Sequence, residues 1–284
     1  MQKYSGIITA LVTPFYKGEV DYPSLKKLIQ LQLDSKVQGF VVNGTTGESP
    51  CLFPEEVKNI FSFVSGEAST QANVILGTGS NSTYVADQKI KQAVSWGVKT
   101  ALVVCPYYNK PSQAGLVQHF QYLAQQNKSI NILLYNVPSR TGVSLDIQSL
   151  KTLSAEPNII GIKEASGNID FAKQIVKQKL FSSILSGDDL SFNDFMKVGG
   201  NGLVGVATHI LGKEFNAVFK NTAERKNWET YLPLLKALYA ETNPMGIKKA
   251  LALLGIIKSA ELRLPMVEGS GQDIAKELKK LGYL

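Results

Sequence analysis

Short aliphatic runs rich in β-branched residues recur eight times along the 284-residue chain, at 6–14, 39–43, 73–77, 100–105, 130–136, 158–162, 183–186 and 202–206. Amphipathic stretches separate them, with apolar residues at helical spacing, as in Leu25, Leu28, Ile29 and Leu33, or Val57, Ile60, Phe61 and Val64. The runs lack the apolar–polar alternation of a half-exposed strand, so each reads as a strand buried on both faces, the kind found in parallel sheets covered by helices. Eight strand–helix units at roughly 25–35 residue spacing predict an α/β chain closed into a (β/α)8 TIM barrel, for which about 250 residues is typical. A doubly wound open sheet needs the same alternation but rarely uses eight such even units. Further expected helices begin at Pro54, after the Ser/Asn-rich turn that follows 77 and run through Trp96, from Ser112 to about Gln126, and from about Ser144. From Trp228 onward the pattern is helical throughout. The expected organisation is a catalytic barrel over 1–225 and a C-terminal helical region over 226–284, whose apolar excess suits packing on the barrel or an oligomer interface.

Composition narrows the functional classes. Hydrophobic residues make up 44% and charged residues 19%, the balance of a globular protein, and the apolar stretches fall well short of a membrane span. Met1-Gln2-Lys3-Tyr4 leads directly into a strand-like run, so no signal peptide is expected. Cys51 and Cys105 are the only cysteines and cannot build a disulfide framework, which points to a reducing, cytoplasmic compartment, with Cys105 read as a buried structural thiol. The formal charge of +7 invites an anionic partner, but arginine occurs only at 140, 225 and 263 and the lysines are scattered. With no basic block and no aromatic–basic platform, nucleic acid is disfavoured, and small anionic substrates fit the charge equally well.

In a (β/α)8 barrel, chemistry gathers at the C-terminal ends of the strands. Those positions hold Thr13-Pro14, Gly44-Thr45-Thr46-Gly47-Glu48, Tyr107-Tyr108, Tyr135 with Arg140 a little beyond, Lys163, Gly187, and the approach around Val204 and Gly205. Lysine is rarely buried without a partner. A low-dielectric setting disfavours its ammonium form and favours the neutral amine, a nucleophile that attacks a ketone to give a Schiff base, which then acts as an electron sink. The proton transfers need a phenol or hydroxyl within reach, and Tyr135, Tyr108 and Thr46 are candidates. A keto acid's carboxylate needs backbone N–H groups and hydroxyls, which a Gly-Thr-Thr-Gly turn supplies, and a second carboxylate is best held by the bidentate fork of an arginine such as Arg140.

Taken singly, each residue has a plainer reading: Lys163 snorkelling to solvent, residues 44–47 a tight turn, Tyr135 a core aromatic, Arg140 a surface ion pair. Other chemistries find less support. His119 and His209 have no partner at ligand spacing, so no metal site is expected. Gly77-Thr78-Gly79-Ser80-Asn81-Ser82 is only a fragment of a dinucleotide fingerprint, and no Gly-Lys-Ser/Thr phosphate loop exists. Asp188-Asp189 suits a helix cap better than a base.

Gly44-Thr45-Thr46-Gly47-Glu48, Pro106-Tyr107-Tyr108-Asn109-Lys110-Pro111, the run from Tyr135 to Gly142 and the run from Gly161 to Gly167 resemble the 4-hydroxy-tetrahydrodipicolinate synthase (dihydrodipicolinate synthase) family. Leu185-Ser186-Gly187-Asp188-Asp189 and Leu262-Arg263-Leu264-Pro265 extend the resemblance over essentially the whole chain. It implies a lyase of the class I pyruvate-dependent aldolase superfamily, built on a (β/α)8 barrel, that condenses pyruvate with L-aspartate 4-semialdehyde in the diaminopimelate branch of lysine biosynthesis. By matching position, Lys163 would form the Schiff base with pyruvate, so no separate cofactor is expected. Tyr135 would shuttle protons, linked to Thr46 and to Tyr108, the latter contributed across a subunit interface. Arg140 would bind the semialdehyde carboxylate, Thr45 and Thr46 the pyruvate carboxylate, and backbone groups of Gly187 and Val204 would line the pocket. The family is usually a homotetramer, a dimer of dimers.

One departure stands out. The lysine-inhibition site of many members, matched here at Ser49, Asn81 and Tyr107, also uses histidines and a glutamate, and the corresponding positions are Pro54, Val57 and Val85. None carries charge, so weak or absent inhibition by lysine is expected. Two alternatives stay open: another Schiff-base pyruvate lyase of the superfamily, such as N-acetylneuraminate lyase or a 2-keto-3-deoxy sugar acid aldolase, and a catalytically silent barrel with a binding or regulatory role. The Ser-Arg-Thr-Gly sequence around Arg140 argues against the sugar-acid lyases.

Overall fold

The computed structural model describes residues 3–284; Met1 and Gln2, which open the stretch read as lacking a signal peptide, lie outside the described residues. The chain begins with β1 (Gly6–Ala10), a small antiparallel ribbon of β2 (Phe15–Tyr16) and β3 (Glu19–Val20), α1 (Tyr22–Asp34), β4 (Gly39–Val42), α2 (Pro54–Ala68) and β5 (Asn73–Gly77). It continues through α3 (Thr83–Ser95), β6 (Thr100–Val104), α4 (Gln113–Gln126), β7 (Asn131–Asn136), the single turn α5 (Pro138–Thr141) and α6 (Ile147–Leu153). Then follow β8 (Ile159–Glu164), α7 (Ile169–Lys177), β9 (Ser183–Ser186), α8 (Phe192–Lys197), β10 (Gly202–Gly205), α9 (Thr208–Lys220), α10 (Trp228–Leu238), α11 (Met245–Leu253) and α12 (Ile274–Lys280).

The strands hydrogen-bond in the order β1-β10-β9-β8-β7-β6-β5-β4 and close into a barrel, so the expected (β/α)8 TIM architecture is the one observed. Every residue of β1, β4, β8, β9 and β10 is buried, which is why these strands carry continuous apolar runs rather than an alternation. The expected strand over 183–186 is present in full as β9.

Packing divides the chain into two compact units. In the unit built on Val74–Val204, parallel pairing runs from β5 through β10, and Leu102, Leu133, Ile162 and Leu185 lie in the core. Four of its helices, α3, α4, α6 and α7, start where a side chain accepts a free backbone N–H: Ser82 from Val85, Ser112 from Gly115, Asp146 from Ser149 and Asn168 from Phe171. In the unit built on Ile7–Asn73 and Gly205–Leu284, β1 pairs with β4 at Ala10 and Val41, α1 packs on α2 and α9, and α10 packs on α11 and α12.

Three features differ from expectation. The tail from Trp228 is not helical throughout, because between α11 and α12 the chain runs as turns and irregular loop. The helix anticipated from about Ser144 begins at Ile147, because the Asn136 side chain accepts the Leu145 N–H at 3.1 Å and holds that segment extended until Asp146 caps the helix. The β2–β3 ribbon was not anticipated. Its turn residues Lys17 and Gly18 both have positive φ (54° and 82°), the geometry of a type I′ hairpin, for which an X-Gly pair between two short apolar runs is the sequence signal.

Candidate active site

Lys163 is the fifth residue of β8 and Tyr135 the fifth of β7, and the parallel register sets them side by side. Lys163 is 6% exposed and its Nζ lies 4.3 Å from the centre of the Tyr135 ring. The amine therefore meets the face of an aromatic whose hydroxyl is one of the expected proton relays. Gly187 follows β9, the strand on the other side of β8, and donates its N–H to the Glu164 carbonyl at 2.7 Å. A Cβ at Gly187 would sit 2.7 Å from Lys163 Cε and 2.9 Å from its Cγ, so the lysine side chain occupies the space that any other residue would fill. Val204 lies fully buried in β10, which pairs with β9.

The residues immediately after the amine and the phenol form a second layer that sequence reasoning missed. Asn136 Nδ2 donates to Glu164 Oε2 at 2.7 Å, and Glu164 Oε1 accepts the Ser166 N–H at 2.6 Å. Asn136 Oδ1 also accepts the Leu145 N–H. Burial pushes the Glu164 carboxyl above its ordinary range, against the pull of the Ser166 and Asn136 hydrogen bonds. One signal for this pair was available: a polar residue directly following each candidate in a strand buried on both faces must find a buried partner. Cys105 donates its N–H to the Tyr135 carbonyl at 3.0 Å and is fully buried, its thiol pushed up to about 12 by burial, as befits a structural cysteine.

In the other unit, Gly44–Glu48 forms a tight turn: Gly47 N–H donates to the Gly44 carbonyl at 3.1 Å and Glu48 N–H to the Thr45 carbonyl at 3.0 Å. Thr46 is buried, and its Oγ1 accepts from Asn243 Nδ2 at 3.0 Å. Thr13 Oγ1 donates to the Gly47 carbonyl at 2.9 Å. Asn243 lies beyond α10, in a region read from sequence only as helical packing.

Arg140 occupies the exposed turn α5 directly after β7. Tyr108 is 88% exposed with φ 74°, and its ring is not buried with Lys163 and Tyr135 in this chain. Asp188 Oδ2 accepts the Ser191 N–H at 2.9 Å in the turn before α8, but the helix is entered at Ser191 without a side-chain cap, so neither aspartate is the cap that the sequence suggests. Among the described residues, no group of three or more His, Cys, Asp or Glu is placed to hold a metal ion, and no helix is long and apolar enough to cross a membrane.

The arrangement in the first unit is a sequestered primary amine beside a phenol, with a glycine leaving room for the lysine side chain, which suits imine chemistry on a carbonyl compound. Residues 3–281 match the model of the dihydrodipicolinate synthetase family. The 4-hydroxy-tetrahydrodipicolinate synthase of Bdellovibrio bacteriovorus is 42% identical over all of this chain and all of its own. The crystal structure of the Thermotoga maritima dihydrodipicolinate synthase superposes with a TM-score of 0.95 at 36% identity, covering 100% of both chains. That of the Acinetobacter baumannii dihydrodipicolinate synthase complexed with pyruvate gives 0.93 at 34% identity, covering 99% of both.

Proposed function

The chain belongs to the dihydrodipicolinate synthetase family, and from that premise we propose that it condenses pyruvate with L-aspartate 4-semialdehyde to 4-hydroxy-tetrahydrodipicolinate through a Schiff base on Lys163, in the diaminopimelate branch of lysine biosynthesis. The observation that carries the proposal is the buried Lys163 amine, 4.3 Å from the Tyr135 ring centre and packed against Gly187. The neutral amine adds to the pyruvate ketone and water leaves, giving an iminium. Loss of a methyl proton then yields an enamine whose carbon attacks the semialdehyde aldehyde. Attack of the semialdehyde's own amine on the iminium carbon closes the ring and frees Lys163.

Tyr135 carries protons to and from these centres, with Thr46 and Tyr108 linked to it. Thr45 and Thr46 bind the pyruvate carboxylate, Arg140 the semialdehyde carboxylate, and Gly187 and Val204 contribute backbone groups. Residues 1–225 form the catalytic barrel and 226–284 its helical appendage, the enzyme assembles as a homotetramer in the cytoplasm, and lysine inhibits it weakly or not at all.

Borohydride reduction in the presence of pyruvate tests the central step. A stable adduct on the peptide containing Lys163, read by mass spectrometry, is the expected result, and its absence from folded protein overturns the proposal. Lys163→Ala is expected to lower kcat by on the order of 10³-fold or more while the fold persists; an unfolded variant would mean that the lysine is structural. Offering pyruvate with either the semialdehyde or sugar aldehydes separates this reading from a sugar-acid lyase, and turnover confined to the sugars would favour the latter.

A further inference from the structure

The turn that carries Thr45 and Thr46 is held from below by charges that the reaction does not use. Lys248 on α11 is fully buried, and its Nζ donates to Glu48 Oε1 at 2.6 Å and to the Glu261 carbonyl at 2.6 Å. Glu48 is the last residue of the Gly-Thr-Thr-Gly-Glu motif, sits at φ 57°, and closes the turn through its own N–H to the Thr45 carbonyl. Its second oxygen accepts the Arg263 N–H at 2.9 Å. Both cations lie against the Phe15 ring, with Lys248 Nζ 4.3 Å and the Arg263 guanidinium carbon 4.5 Å from its centre. The guanidinium is fixed in turn by both Glu56 oxygens, at 2.7 and 2.6 Å, and by the Cys51 carbonyl at 2.9 Å.

Such a cluster is costly to build. Burial lowers the Lys248 ammonium from its ordinary range, and the charge of Glu48 opposes that shift. A well-packed apolar pair commonly serves stability as well as a buried ion pair or better, whereas a charge pair admits one geometry. Here the pair joins residues far apart in sequence and fixes the backbone on which both threonines stand.

We propose that Lys248, through its buried ion pair with Glu48, is a positioning residue for the Thr45–Thr46 turn and so sets affinity for the keto acid. The proposal rests on the reading that this turn binds the pyruvate carboxylate. It gives the C-terminal helices a part in substrate recognition, which their apolar pattern did not suggest.

The test uses the full-length protein with Lys248→Met, Glu48→Gln and the double variant Glu48→Met with Lys248→Met, reading melting temperature, kcat and KM for each substrate. Each variant is expected to raise KM for pyruvate by about tenfold or more while changing KM for the semialdehyde by less than about twofold. The double variant, free of unpaired buried charge, is expected to melt near the parent and still bind pyruvate poorly. A double variant that recovers both stability and pyruvate KM, or a folded Glu48→Gln with parental pyruvate KM, overturns the proposal and leaves the pair a structural contact. Thr46→Val separates the premise from the inference. If it leaves pyruvate KM unchanged, the reading of the turn falls and the anchoring falls with it; if it raises pyruvate KM and Lys248→Met does not, the anchoring alone falls.

Discussion

His209 is enclosed by protein, its Nε2 accepting the Val12 N–H at 3.2 Å and its Nδ1 bonded to the Val206 carbonyl at 2.7 Å, which fixes the neutral tautomer with the proton on Nδ1. Burial pulls its pKa down to about 4, and burial does the same to His119, whose Nδ1 is paired with Thr83 Oγ1 at 2.8 Å. Both folded-state values lie below that of a free histidine, so between the two limits the unfolded chain binds more protons. The stabilising contribution is therefore complete above about pH 6.5 and lost as the pH falls toward about 4, at roughly 3 kcal/mol for each histidine at full extent. Melting temperature is expected to hold level near pH 7 and to descend between about 6.5 and 5, where few carboxylates titrate, with His119→Gln flattening that descent by about half. An identical descent in the variant would remove His119 from the account. That each histidine is held neutral follows from the burial, which the residues around it in sequence do not record.

At the scale of elements, strands and helices were largely legible, because a strand buried on both faces and a helix with one apolar stripe leave different marks. The exceptions were local. The shift of α6 to Ile147 depends on Asn136 capturing the Leu145 N–H, a contact between a strand end and a loop that no periodicity records. The pairing of Asn136 with Glu164 across β7 and β8 likewise holds the two strands that carry Tyr135 and Lys163, yet each residue alone reads as a polar interruption. The expectation of weak or absent inhibition by lysine rests on residues in the first turn of α2 and in that of α3. Pro54 is the first residue of α2, Val57 faces inward from its fourth position, and Val85 stands partly exposed in the first turn of α3. Neither helix offers an ionisable group at these positions to pair with the charges of an amino acid. Turnover in a purified assay is accordingly expected to be unaffected by sub-millimolar lysine, and inhibition in that range would sink this part of the proposal.

For the whole molecule, the proposed assembly accounts for an aromatic that the single chain leaves outside. Tyr108 is 88% exposed at a φ that aromatic side chains seldom adopt, and Tyr84 and Tyr107 are exposed in the same unit. A partner subunit that receives Tyr108 would supply the environment it lacks, so sedimentation at micromolar concentration is expected to return a tetramer; a monomer that turns over at the full rate would remove Tyr108 from the proton relay. The barrel, its eight strands, and the placement of Lys163, Tyr135 and the Gly-Thr-Thr-Gly turn at strand ends are legible in residue order alone, because burial on both faces and period leave local marks. Contact across long separations came with the folded packing: Gly187 making room for Lys163, Asn243 reaching Thr46, and Lys248 gripping Glu48. Those contacts arise where closing the sheet and docking the C-terminal helices bring distant segments within hydrogen-bonding range, and side-chain pairing at that range leaves no trace in spacing along the chain.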